Sequence, residues 1–238
     1  MQGLLLKSLT REGIEIDIPM IDQYNHKSEF LNGIKWTTLQ QVFTQIVGIV
    51  GLIVMTFLVT PDVFGVVAIA TVWLGFFLLI QDFGIREHLV KDKEMLENTK
   101  REYFGVLVVG ATISLVVYTL FGLVYIEIYS NLEHLSYALI LLALLIIVRP
   151  LVIFYEGMRI REHDFKFIAI NNIQSSALSN ILGVTLAYLG YAIEAVIIKF
   201  LSGHVLMMAG YVFFSKERVA PAFNKSVWKK IWLFALNL

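Results

Sequence analysis

Residues 86–101, REHLVKDKEMLENTKR, hold five basic residues, Arg86, Lys91, Lys93, Lys100 and Arg101, between two long apolar runs. The connections before and after that one hold only acids as charged residues: Asp62 on one side, Glu127 and Glu133 on the other. The alternation continues along the chain, where successive gaps hold four, none, five, none, four, none and five basic residues. The other occupied gaps contain Lys7, Arg11, Lys27 and Lys35; Arg149, Arg159, Arg161 and Lys166; and Lys216, Arg218, Lys225, Lys229 and Lys230. Of the 19 basic residues 18 follow the pattern, and Lys199 alone is assigned to an apolar run. Short connections rich in Lys and Arg stay on the cytoplasmic side, because carrying them across the bilayer is costly and opposed by the membrane potential. The pattern therefore predicts an all-α, polytopic transmembrane helix bundle with a cytoplasmic N-terminus.

Composition points the same way. A chain with 58% hydrophobic and 16% charged residues and a mean hydropathy of +0.73 is too apolar for an ordinary soluble domain. The net charge of zero conceals a sidedness, since the unoccupied gaps carry Asp62, Glu127, Glu133 and Glu194. Without cysteine, neither a disulfide framework nor a thiolate metal site can form. The start of the chain has one apolar triplet, Leu4 to Leu6, and then Arg11, Glu12, Glu15, Asp17 and Asp22. No signal-peptide pattern is visible there, so the first span is expected to serve as an uncleaved insertion signal.

A hydrocarbon core of about 30 Å needs roughly 20 apolar residues at about 1.5 Å rise each. Six segments satisfy this: Trp36 to Val59, Val66 to Ile80 (extended to Phe64 and Phe83), Tyr103 to Ile126, Leu135 to Tyr155, Ile168 to Tyr188 and Ala192 to Phe214. The fifth is the least apolar. Aromatic residues gather at the ends, among them Trp36, Tyr103, Tyr125, Tyr155, Tyr188 and Tyr191, as rings that favour the headgroup level do. A further apolar stretch opens at Val227 and is too short to span by Leu238. The expected organisation is a cytoplasmic tail over 1–31, a six-helix lobe over 32–215, and over 216–238 a connection with the start of a truncated seventh span.

Inside hydrocarbon, a polar group must find a partner within the bundle or line a wet cavity. In the fifth span Asn172, Ser176, Ser179, Asn180 and Gly183 recur three and four residues apart and share one face, widened by Gln174 and Ser175. Such a stripe serves either as glue between helices or as one wall of a water-accessible cavity, and its polarity favours the cavity. A shorter stripe in the first span, Gln41, Thr44, Gln45 and Gly48, suggests that spans one and five face a common interior. Lys199, in the sixth span, either snorkels to the headgroups or offers a cationic contact to a phosphate or diphosphate. His204, deeper in the same span, reads as a packed polar residue.

Enzyme chemistry is nearly absent from the sequence, and we expect no enzyme and no cofactor. The histidines, His26, His88, His134, His163 and His204, show no metal-ligand spacing. Asp82-Phe83-Gly84 matches a kinase triplet by chance, with no other kinase element beside it. The basic connections are interleaved with acids and act as topology determinants rather than as nucleic-acid patches.

Five local patterns, in order and spacing, resemble the N-terminal half of a bacterial oligosaccharide flippase of the polysaccharide biosynthesis type. That family belongs to the superfamily holding MATE-like multidrug exporters. The patterns are Gly33-Ile34-Lys35-Trp36; Leu58-Val59-Thr60-Pro61-Asp62-Val63-Phe64-Gly65; Gln81-Asp82-Phe83-Gly84-Ile85; Arg159-Ile160-Arg161-Glu162-His163-Asp164-Phe165-Lys166; and Tyr188-Leu189-Gly190-Tyr191-Ala192-Ile193-Glu194-Ala195. Glu194 departs from the family, which usually has an aromatic there, and the N-terminal tail is longer than usual. The resemblance covers about residues 30 to 238. It implies two six-helix lobes around a central cavity, of which this chain supplies the first, so a C-terminal lobe or a second copy is an expected partner.

The resemblance also implies a substrate, a polyprenyl diphosphate bearing a short glycan, and a place in the bacterial inner membrane. Glycan and diphosphate cannot cross hydrocarbon unaided, because stripping their water is costly. By charge and depth, Lys199, Arg86 and Arg149 are the candidate contacts for the anionic group, and Asn172, Ser176 and Asn180 for the polar remainder; both arginines also suit the interface. Competing readings are a cation-coupled exporter on the same fold, which calls for acids within spans, a non-transporting scaffold for glycan-synthesising enzymes, and a membrane transferase.

Overall fold

The computed structural model describes residues 18–82, 86, 89–90, 97–128, 134–215 and 219–222. Residues 1–17 of the expected tail and the apolar stretch opening at Val227 lie outside these. Among the described residues there are six helices and no strand: α1 (Ile18–Leu58), α2 (Pro61–Asp82), α3 (Glu97–Ile128), α4 (Leu135–Arg161), α5 (Phe165–Tyr188) and α6 (Ala192–Phe213). The chain is an all-α, multi-pass membrane protein.

The helices outrun the apolar runs that announced them. α1 begins at Ile18, well before Trp36, and α4 passes Tyr155 to end at Arg161. Helical hydrogen bonding is local and needs no apolar side chain, so these segments leave the hydrocarbon without unwinding. Pro61 occupies the first position of α2, where its missing N–H and fixed φ cost nothing. Asp164 caps α5 by accepting from the Phe167 N–H at 3.3 Å. α5 closes in a Schellman motif, with Gly190 at φ 89° and the Tyr191 N–H reaching the Leu186 carbonyl at 3.0 Å. Pro150 lies inside α4 without ending it.

Among the described residues five helices are long and apolar enough to cross a membrane, through Leu31–Leu58, Pro61–Leu79, Thr99–Tyr125, Leu135–Arg161 and Ala192–Phe213. α5 is the expected span that lacks this apolarity. Its 24 residues, about 36 Å of helix, match its neighbours in length. Much of its polar content is buried, in Asn171, Asn172, Ser175, Ser179 and Asn180, while Gln174 and Thr185 are exposed.

α4 occupies the centre, against α2, α3 and α6; α5 lies along α6, and α1 along α5. Two apolar clusters hold the bundle. One, toward the short connections, contains Met55, Val67, Leu74, Tyr118, Leu139, Leu142, Ile146 and Ile197. The other, toward the basic connections, contains Leu89, Tyr103, Leu107, Ile153, Phe154 and Tyr211. The outer faces are apolar as well, with Phe57 84%, Leu79 72% and Ile140 67% exposed. That surface suits hydrocarbon as its solvent, since lipid tails are as apolar as leucine.

Candidate functional site

The polar residues of α5 divide between two seams. Toward α6, Asn171 donates through Nδ2 to the Met207 carbonyl at 3.0 Å, and its Oδ1 rests on Gly210. One residue on, Asn172 Oδ1 accepts from the Tyr211 hydroxyl at 3.1 Å. Ser179 faces Gly203, and Gly183 leaves the space into which the Lys199 stem packs. Small residues opposite polar ones let membrane helices approach closely enough for these contacts. Toward α1, Asn180 donates to the Ser176 carbonyl at 2.8 Å, while its Oδ1 sits against Gly51 with no hydrogen-bond partner among the described residues.

Helices α1 and α5 do adjoin, yet not through the stripe expected on α1. Gly33, against the Phe165 ring, and Gly51 make the close contacts. Gln41 and Gln45 are exposed, Thr44 turns back to the Gln40 carbonyl at 2.9 Å, and a side chain at Gly48 would meet nothing. The two stripes therefore do not face one interior. Of the α5 stripe only Gln174 and Ser175 border a cleft, one of about 600 Å³ whose walls also include Asn171 and Leu178 of α5, Phe213 of α6 and Leu151 of α4; Asn172, Ser176, Ser179, Asn180 and Gly183 are not among its walls. That size is within the range of small-molecule sites.

The candidate cations are spread over the depth of the bundle. Lys199 lies in the third turn of α6, half-buried, and among the described residues no carboxylate is within ion-pair distance of it. Arg149, assigned from sequence to a basic connection, lies instead within α4, about three turns before its end, and its charge is felt at His204. Lys199 is thus not the one basic residue inside a span. Arg86 pairs with Glu156 of α4, Nη1 to Oε2 at 3.1 Å, with the side chains 24% and 13% exposed. The charges of both bear on Tyr211, so Arg86, Glu156, Tyr211 and Asn172 form one neighbourhood.

Glu156 and Tyr211 had not been singled out. Glu156 follows Tyr155, where the apolar run stops, and so looked extramembranous; its spacing of seven from Arg149 would have shown that both share a helical face. Tyr211, near the end of the sixth apolar run, is 1% exposed. Ser176 offers its carbonyl, rather than a free face, to Ser179 and Asn180. Among the described residues no cluster of three metal-ligating side chains occurs.

A family model described as polysaccharide biosynthesis protein matches residues 54–238, from the last turns of α1 onward. No curated protein and no solved structure matches the chain.

Proposed function

The chain belongs to the polysaccharide biosynthesis protein family, and from that premise we propose that it forms one lobe of a flippase for polyprenyl-diphosphate-linked oligosaccharide. In this reading the lobe sits in the bacterial inner membrane with its N-terminus in the cytoplasm, as the alternating basic connections require. It translocates and catalyses no covalent step; a C-terminal lobe or a second copy completes the pathway.

Lys199 carries the reading. A half-buried ammonium in a membrane-length helix, without a carboxylate partner among the described residues, is costly unless an anion or water meets it. A diphosphate supplies that anion. Arg149 and Arg86 place further positive charge toward the basic end, so an anionic group moving along the bundle meets cations at several depths. The amides and hydroxyls of α5 offer hydrogen bonds in place of the water that a glycan would otherwise shed.

The test is glycan export by the complete protein carrying Arg86→Gln, Arg149→Gln and Lys199→Gln together. Surface glycan is expected to fall and lipid-linked glycan to accumulate on the cytoplasmic face; export at the wild-type rate from a normally inserted variant refutes the proposal. Glu156, an acid inside a span, favours the cation-coupled exporter as a second reading, although Arg86 already neutralises it. A variant at Glu156 that loses resistance to toxic cations while retaining glycan export would decide for that exporter.

A further inference from the structure

The Arg86–Glu156 pair joins elements that are far apart in sequence. Arg86 follows α2 by a few residues, while Glu156 projects from the last turns of α4. Beside the pair Leu89, 1% exposed, packs on Gly157, where an added Cβ would meet its Cδ2 at 2.5 Å. The Arg86 side chain thus lies against α4 at Gly157, with its guanidinium held by the Glu156 carboxylate. A site prepared for an anion has this form: a cation held in position, mostly shielded from water, with hydroxyl and amide groups nearby in Tyr211 and Asn172.

We infer that Glu156 is an internal stand-in for the anionic group of the ligand, occupying the Arg86 guanidinium until a diphosphate displaces it. This rests on the flippase reading above, in which Arg86 is a diphosphate contact. The exchange replaces one anion by another at the same cation, so Arg86 is never left buried and uncompensated, a state that would be strongly unfavourable. The released carboxylate would lie one helical turn from Arg159, which already holds Asp164 at 3.1 Å and Glu162 at 3.6 Å. The pair also selects. A neutral prenyl alcohol or a glycan alone has nothing with which to displace a carboxylate, whereas a diphosphate does. Glu156 is thus a specificity-determining residue that acts by competition.

Competition sets the magnitude. An apparent dissociation constant is raised in proportion to the fraction of protein whose site is closed, so a pair closed about nine-tenths of the time weakens binding about tenfold. The experiment titrates the complete protein in lipid nanodiscs with geranylgeranyl diphosphate, and with geranylgeraniol as the uncharged control. Glu156→Gln is expected to tighten diphosphate binding about tenfold and leave the alcohol unchanged. Glu156→Asp, whose shorter reach loosens the pair, should fall between wild type and Glu156→Gln. Arg86→Gln should abolish the preference for the diphosphate, and the double variant should behave as Arg86→Gln does.

If wild type prefers the diphosphate and Glu156→Gln binds it no more tightly, while both show the same melting temperature, the pair is merely structural and the inference is wrong. If neither protein distinguishes diphosphate from alcohol, the inference is equally wrong. The flippase reading then stands or falls separately, on export by the three-cation variant.

Discussion

The side-chain amide of Gln81 in α2 donates at 3.0 Å to the carbonyl of Ile146 in α4, the acceptor that Pro150 leaves without its helical N–H. Gln81 is 4% exposed, so the bond lies where no water could replace it. Gln81→Leu should cost about 1–3 kcal/mol, the penalty for an orphaned buried acceptor, and lower the melting temperature in detergent. Pro150→Ala restores the missing N–H. In the Gln81→Leu background it should recover most of the loss; no recovery would mean that the Ile146 carbonyl is not what Gln81 serves.

Gly51 and Gly48 lie one turn apart on α1 with opposite surroundings. A methyl group at Gly51 would overlap the Asn180 carboxamide, and one at Gly48 would meet nothing. Gly51→Ala should therefore destabilise by about 1–3 kcal/mol, as overpacking does, with Gly48→Ala close to neutral. Asn180→Ala should relieve much of the Gly51→Ala defect. A thermal-melt double-mutant cycle measures the coupling, and additive effects would count against the contact.

Tyr211 places a hydroxyl against Asn172 at the α5–α6 seam, both side chains being buried. Tyr211→Phe keeps the ring and leaves the Asn172 oxygen without this donor. A loss of about 1–3 kcal/mol is expected, and a smaller one when Asn172→Leu is already present. Denaturation of the four proteins under identical detergent conditions provides the comparison.

For Lys199, charge and reach are separable. Lys199→Arg keeps the cation and should retain export, whereas Lys199→Gln should reduce it about tenfold, the effect of losing roughly 1.4 kcal/mol of a charge-assisted contact. Surface-glycan labelling at matched membrane abundance reads the difference. Equal export by both variants would indicate that the ammonium merely reaches for headgroups.

Much of the fold was legible because membrane insertion writes itself in one dimension. The apolar runs and the basic connections located the helices, and even the weak apolarity of α5 was visible in Asn172, Ser179 and Asn180. Helix ends were harder, since hydrophobicity marks where hydrocarbon stops and not where hydrogen bonding does; ending the fourth span at Tyr155 left Glu156 out of view. The direction of each stripe was harder still. Periodicity put Asn172 and Asn180 on one broad face, but only packing sends the first to Tyr211 and the second to Gly51. The partner of Arg86 lies 70 residues away in sequence, beyond the reach of any local pattern.

The connections flanking α5 are three residues each, 162–164 and 189–191. Both are tied down by backbone bonds, from the Asp164 N–H to the Arg159 carbonyl at 3.0 Å at one end and through the Gly190 turn at the other. α5 consequently has no slack along its own axis. It cannot travel like a piston between α1 and α6, because either direction would tear a leash anchored in α4 or α6. The motion left to it is tilt or roll in company with both neighbours, so α4, α5 and α6 should move as one paddle, carrying Lys199, Arg149 and Glu156 together.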